Sequence, residues 1–440
     1  MIKKINYIFF LLVILFMPLQ GLASVLLSQT TLAPSLVFWA LHWYEPVLVA
    51  LLIINAITYF CQKRKLDWSI VILSTTLLFG FISVLFISPS ISLGLEGFRF
   101  TLLGLVFLLI ALLLQIDKKQ VAILIKIYLI IAVVLSVWAI LERFLPTFYW
   151  DSLKISLPIS RFGWGYYDAG GWLQSTAFSV GPNQLASYLL PAFFILMQKC
   201  CPNVIPAKAG IQAEYIDSRL RGNDKKEIGN QFLNWLYPIL IIVAIAFTLS
   251  RSAAVGLCAV LLIWFLLYYR NKIAKLIVIA VIIIFGAIIL INKDNATINN
   301  FLTHGNQTGH QSALQITMDE LHNRVKTPAK LLFGAGLGTA GPIEIKYNSG
   351  IVSESWYFQL VLELGIVGLI FWLAIISILI YKLSKNSERG FFFGIVAVSV
   401  TALFLHTFAD NPALTYTLFI IIGIKYFGQD KVKNSKEANV

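Results

Sequence analysis

The chain has 440 residues, of which 58% are hydrophobic and only 12% charged, with a formal net charge of +13 and a mean hydropathy of +0.81. Soluble domains carry about a quarter of their residues as charges, so this composition excludes a soluble globular protein with a polar surface. The positive charge lies mostly in short segments between apolar runs, which argues against a nucleic-acid face and for loops that obey the positive-inside rule.

The apolar runs are roughly 16–25 residues long, the length that crosses a bilayer as a helix. They lack the alternation of barrel strands, so each span is a helix that satisfies its own backbone groups. The expected fold is all-α: a polytopic membrane helix bundle of about twelve transmembrane helices. In chain order they fall near 5–27, 44–61, 68–87, 98–115, 121–142, 178–198, 234–250, 253–269, 274–292, 356–381, 391–408 and 412–427. With the N-terminus inside, 23 of the 34 lysines and arginines fall in inside segments, ten fall outside and Lys126 lies in a span. That asymmetry predicts cytoplasmic termini. The start (Lys3-Lys4, an apolar core, then Gly21-Leu22-Ala23) also has the pattern of a signal peptide with a cleavage site.

This reading gives N-terminal transmembrane helices at 1–169, a membrane domain at 170–425 and a cytoplasmic tail at 426–440. The membrane domain includes a cytoplasmic loop at 199–231 and a large outer loop at 293–355; another outer segment covers 143–177. Within 199–231, Val204-Ile205-Pro206-Ala207-Lys208-Ala209-Gly210 and Asp217-Ser218-Arg219-Leu220-Arg221-Gly222-Asn223-Asp224 resemble a translated palindromic repeat. No chemistry is assigned there. The large outer loop holds an amphipathic pattern near 312–326, from Leu314, Met318, Leu321 and Val325. Cys61, Cys200, Cys201 and Cys258 have no metal-ligand spacing and no disulfide framework. Neither a metal nor a cofactor is expected.

Four short motifs stand where spans meet the outer face, and a fifth lies in the large outer loop. Gly181-Pro182-Asn183-Gln184-Leu185-Ala186 opens a span and also suits an ordinary helix start. Thr248-Leu249-Ser250-Arg251-Ser252 interrupts two apolar runs. An arginine so close to hydrocarbon is costly; its guanidinium either clamps a phosphate bidentately or snorkels. Gly334-Ala335-Gly336-Leu337-Gly338 lacks the strand–helix unit of a nucleotide site and reads as a turn allowing close backbone approach. Glu354-Ser355, nine residues, then Gly365-Ile366-Val367-Gly368 begins a span. Glu354 is either a helix-start carboxylate or a general base. Glu363, nine residues further in, is a site candidate by depth or a buried packing residue. His406, Asp410, Asn411 and Pro412 mark the last outer hairpin.

Together these motifs resemble the O-antigen ligase and polymerase superfamily of bacterial envelope glycan transferases, over about 170–425. The matching residues are Pro182-Asn183 with Leu185-Ala186, Ser250-Arg251, the 334–338 glycines, and 355–368, in family order. The resemblance implies a fold like that of other multi-spanning lipid-dependent glycosyltransferases (GT-C-like) in the bacterial inner membrane. It also implies an undecaprenyl-pyrophosphate-linked glycan donor used at the periplasmic face without metal or nucleotide, and a glycan or lipid A-core acceptor. The ligase branch carries His where this chain has Glu354, so glycan transfer is better supported than ligation onto lipid A-core. On this reading Arg251 stabilises the leaving pyrophosphate and Glu354 takes the acceptor proton. Arg324, Arg161, Asn183, Ser355 and Asp410 are substrate-binding candidates, Arg324 standing nearest to a second family arginine of the outer loop. The favoured activity is a polysaccharide polymerase. A ligase is the alternative within the class; a secondary transporter using Glu363 and a non-catalytic lipid-glycan binding protein are the alternatives outside it.

Overall fold

The computed structural model describes residues 2–28, 30–62, 67–114, 116–144, 168–169, 172–173, 175, 177, 181–200, 224–268, 307–341, 353, 355–385 and 389–427. The helices are α1 (Ile2–Phe16), α2 (Gln20–Ser28), α3 (Pro34–Leu41), α4 (Tyr44–Cys61), α5 (Trp68–Phe86), α6 (Ile91–Leu113), α7 (Lys118–Phe144) and α8 (Pro182–Cys200). They continue as α9 (Asp224–Phe247), α10 (Arg251–Tyr268), α11 (Gln307–Val325), α12 (Pro328–Phe333), α13 (Trp356–Lys385), α14 (Arg389–Thr401), α15 (Thr407–Asp410) and α16 (Pro412–Ile422). Among the described residues, the strands are a two-residue antiparallel pair, Asp168–Ala169 with Trp172–Leu173.

Among the described residues, six helices are long and apolar enough to cross a membrane: Ile2–Ser24, Tyr44–Cys61, Trp68–Phe86, Ile91–Leu113, Lys118–Glu142 and Trp356–Lys385. This is the make-up of a membrane-embedded helical protein. The expected span at 274–292 lies outside the described residues. Local chemistry sets several boundaries differently from the hydropathy pattern. The first helix is interrupted by a 3-10 turn at Met17–Leu19, where Pro18 removes a donor. The fourth span begins at Ile91 because Ser90 caps it, accepting from the Leu93 N–H at 3.2 Å. The run expected at 391–408 stops at Thr401 and turns before α15. The amphipathic segment forms α11, but Leu314, Met318 and Val325 are exposed, whereas Thr317 and Arg324 are buried.

The core is built on three helices buried nearly all round, as expected where neighbours rather than lipid surround a helix. Residues 101–113 of α6, 185–196 of α8 and 414–422 of α16 are all buried. α6 packs on α4, α5 and α16; α8 packs on α7, α9 and α14; and α10 packs on α14. Small residues allow the closest crossings. A Cβ on Gly104 would lie 2.5 Å from Thr415 of α16, and one on Gly394 would lie 2.9 Å from Pro191 of α8. Trp356, Trp372, Phe408 and Phe419 form one aromatic cluster joining α13, α15 and α16.

Two ends of the bundle can be told apart. At one, Lys382 near the end of α13 pairs with Asp67, the N-cap of α5, at 3.8 Å. At the other, Ser88 just past α5 donates to the Leu337 carbonyl at 3.1 Å. There, residues 334–341 form a collar wedged between α6, Ser88 and a break in α13. The break is at Gly365, whose φ is +70°. From Lys382 to Gly365 is about 26 Å and the length of α5 is about 28 Å at 1.5 Å per residue. Both are close to the roughly 30 Å thickness of bilayer hydrocarbon.

Gly365 is required twice, for its left-handed backbone and because a Cβ there would lie 2.2 Å from the Leu332 carbonyl oxygen. Gly365→Ala is expected to destabilise the protein by at least about 1–2 kcal/mol from the backbone conformation alone, read as a lower midpoint of thermal unfolding in detergent. Ile370→Ala, one turn further on at an exposed position, is the comparison and should shift the midpoint far less. Equal midpoints for the two variants would contradict the described break.

Candidate functional site

A helix that breaks leaves carbonyls without their N–H partners, and inside a bundle each must find another donor. The collar supplies them. The Ala335 N–H donates to the Leu362 carbonyl at 3.0 Å and the Gly336 N–H to the Glu363 carbonyl at 3.0 Å. Arg324 adds an Nη1 donor to the same Leu362 carbonyl, and its Nε is held by Glu320 at 2.9 Å. The glycines are needed for closeness: a Cβ on Gly334 would lie 2.1 Å from the Glu363 carbonyl oxygen.

The Glu363 side chain is wholly buried and is surrounded by donors. Thr101 Oγ1 donates to Oε2 at 2.8 Å, the Gly338 N–H to Oε1 at 3.2 Å, and Gln359 Nε2 to Oε1 at 3.3 Å. That arrangement fixes the Gln359 amide, so its Oε1 faces His406 Nδ1 at 2.6 Å. Nδ1 therefore carries the proton and Nε2 is the acceptor. Burial lowers the His406 pKa to about 4, so the imidazole is neutral at pH 7. The carboxylate thus ties α6, α13, the collar and the turn before α15 into one polar core.

Around this core, one end of the bundle gathers segments far apart in sequence. Ser355, at the start of α13, donates to the Ala402 carbonyl at 3.4 Å, and the Trp356 N–H donates to the same carbonyl at 3.1 Å. Thr401 donates to the Ser252 carbonyl at 3.5 Å, bringing the start of α10 to the same turn. Asn411 caps α16 by accepting from the Leu414 N–H at 3.1 Å, and donates to the Gln184 carbonyl at 2.6 Å, which adds the start of α8. Ser175 and Ala177 attach there too: the Ser175 N–H donates to the Phe247 carbonyl at 3.0 Å and the Ala177 N–H to Glu142 at 2.9 Å.

The candidate residues are placed as follows. Arg251 is exposed at the first position of α10. A cation there opposes the helix dipole, so helix electrostatics does not account for it. The capping is done instead by Ser250, whose Oγ accepts from the Ala253 N–H at 3.4 Å. Leu249, just before, has φ +52°, an uncommon conformation for a branched apolar residue. Asn183 is half-buried in the first turn of α8, Asp410 is half-buried at the end of α15, and Ser355 is buried. Arg251, Ser355, Asp410 and Asn183 thus share one end, in adjoining segments. Arg324 is buried against the α13 break, with its guanidinium engaged by Glu320 and Leu362. Glu354 and Arg161 lie outside the described residues. Sequence reasoning missed Thr101, Gln359 and Glu142; only the helical spacing of Gln359 from Glu363 could have pointed to one of them. Among the described residues, no cluster of His, Cys, Asp or Glu could hold a metal.

No family model and no curated protein matches this sequence.

Replacing Glu363 by Leu leaves the Thr101, Gly338 and Gln359 donors unpaired, at about 1–3 kcal/mol each. Glu363→Leu is therefore expected to reduce folded protein severely, and Glu363→Gln less so. Retention of the wild-type unfolding midpoint in Glu363→Leu would contradict the described core. The neutral His406 also sets a pH response. The native state resists protonation down to about pH 4, while an unfolded imidazole binds a proton below its ordinary value of about 6.5. Stability is fully present above about pH 6.5 and falls as pH drops towards 4. His42, lowered to about 4 by burial and by Arg99, acts in the same direction. His406→Gln should flatten part of the decline in unfolding midpoint between pH 7 and 5; an unchanged slope would mean His406 is not held neutral.

Proposed function

We propose that this chain is a membrane glycan transferase that uses an undecaprenyl-pyrophosphate-linked donor at the periplasmic face, and that it joins lipid-linked repeat units as a polysaccharide polymerase. The observation that carries the reading is the convergence of four motif segments, at 181–186, 250–252, 355–359 and 406–412, on one end of a membrane bundle. The collar end is the periplasmic end on this reading. Of the described cations expected outside, Arg99, Arg251, Arg324, Lys326 and Lys330 belong to that end. Lys3, Lys118, Lys199, Lys382 and Lys425, expected inside, sit at helix termini of the other. α10 ends at the cytoplasmic side and α11 begins at the periplasmic one, which the span proposed at 274–292 accounts for. Twelve spans with both termini cytoplasmic complete the topology.

The chemistry follows from the donor. Breaking the sugar–phosphate bond leaves negative charge on the lipid pyrophosphate, and a fixed cation at the membrane surface stabilises it. Arg251 supplies that cation; its exposure and the left-handed Leu249 that precedes it suit a residue held for a ligand rather than for the helix. The acceptor hydroxyl attacks the sugar carbon as Glu354 takes its proton. Asn183 and Asp410, half-buried in the surrounding segments, bind the glycans, with Arg161 a further donor contact of the outer loops; Ser355 and Arg324, buried and hydrogen-bonded within the protein, serve the scaffold beneath them. A ligase would use the same donor half with a different acceptor. A transporter centred on Glu363 is disfavoured, because that carboxylate is enclosed and held by three donors.

Purified protein and a lipid-linked glycan test the reading. Arg251→Ala should abolish most transfer, and Arg251→Lys should not restore it, because an ammonium lacks the paired donors of a guanidinium. Glu354→Gln should lower the rate roughly 10²–10⁴-fold, the usual worth of general base catalysis, with donor binding retained. Wild-type transfer by both Arg251 variants would sink the phosphate role.

A further inference from the structure

We propose that α11 and α12 form a membrane-seated platform, with the apolar stripe of α11 resting on the bilayer surface at the collar end. At 100° per residue, Leu314, Met318, Leu321 and Val325 fall within about 60° of one another around the helix axis. Leu314, Met318 and Val325 are nevertheless exposed. The face turned to the protein is a different one, carrying Thr317 and Arg324, about 80° away around the axis. The protein thus buries the polar flank of α11 and leaves the apolar stripe outside, the reverse of a helix packed by its own core.

The level of the helix pair identifies the occupant. α12 ends at Leu332–Phe333, directly against Gly365, and Gly365 lies about 26 Å from the Lys382 end of α13 at 1.5 Å per residue. Ser88, which holds Leu337, closes α5 after about 28 Å of helix on the same scale. Both rulers start at the Asp67–Lys382 pair and both end at the hydrocarbon boundary. Leu332 and Phe333 are exposed at that boundary, level with Phe86, which is 79% exposed. The Arg324 bond to Leu362 fixes the end of α11 three residues, about 4.5 Å along the helix axis, beyond Gly365. The exposed stripe therefore starts at the bilayer surface and continues the apolar belt of the spans. Lys326, between the two helices, and Lys330, in α12, are both exposed, and cations beside an apolar stripe favour anionic headgroups. This seating does not depend on the glycan-transfer reading, but it would hold the outer loop at the level of a lipid-linked substrate.

The full chain, with its native cysteines replaced by serine, is reconstituted in nanodiscs containing phosphatidylglycerol. A spin label is placed singly through Leu314→Cys, Met318→Cys, Val325→Cys, Asp319→Cys or Asn323→Cys. Collision rates with oxygen, which partitions into lipid, and with a water-soluble nickel chelate are then compared. Labels at 314, 318 and 325 should favour oxygen several-fold relative to those at 319 and 323, and the contrast should disappear in detergent-free amphipol. The inference is overturned if 318 and 325 meet the nickel chelate as readily as 319 and 323, which would leave the stripe in water. It is equally overturned if 318 and 325 are shielded from both reagents, which would place a second copy of the chain or another segment on it.

Discussion

A helix cannot stop inside a membrane protein without something taking up its loose carbonyls. In α13 the stop at Gly365 is met by three residues of one segment, 307–341, namely Ala335, Gly336 and Arg324, on the carbonyls of Leu362 and Glu363. Each of those bonds requires the chain to approach α13 more closely than a side chain would permit at Gly334 or Gly365. The collar, the position of α12 against α13, and the Glu363 core all follow from that seal. Breaking it would leave peptide groups buried within the bundle without partners.

The same seal positions the end of the bundle where the candidate residues gather. Glu363 is held by Thr101 and the collar, and through Gln359 it orients His406. His406 stands next to the turn that receives Ser355, Trp356 and, through Thr401, the start of α10. A rigid polar core thus sits beneath a set of short segments that carry Arg251, Ser355, Asp410 and Asn183. Rigid support beneath surface groups is what transition-state stabilisation by fixed charges requires. The proposed glycan transfer places its cation on this surface, while Glu363 serves the scaffold.

How far the sequence revealed this depends on the kind of contact. Long spans such as 44–61 and 68–87 were legible because crossing a bilayer imposes a length and an apolar content that local chemistry rarely disturbs. The stop at Thr401 was not, since Leu403 and Phe404 continue the apolar run although the backbone turns. Glu363 stood out by its depth, but Thr101 could not, because 262 positions separate it from its partner and nothing in a threonine announces a carboxylate across the bundle. Arg324 read as a ligand for phosphate; its guanidinium is engaged by Glu320 and a helix-break carbonyl, a partner that exists only once the break does. The apolar stripe of α11 was visible in its spacing, but spacing fixes only that residues share a face, not what that face meets.

The seal between the collar and α13 is tested most directly by amide hydrogen exchange of the intact protein in lipid, followed on peptides covering 334–341. The Ala335, Gly336 and Gly338 amides are bonded to Leu362, Glu363 and the Glu363 carboxylate, so they should exchange as slowly as those in the middle of α6. Exchange of that segment within seconds, like that of an exposed glycine loop, would show that the break in α13 is not closed by the collar and would contradict the account built on it.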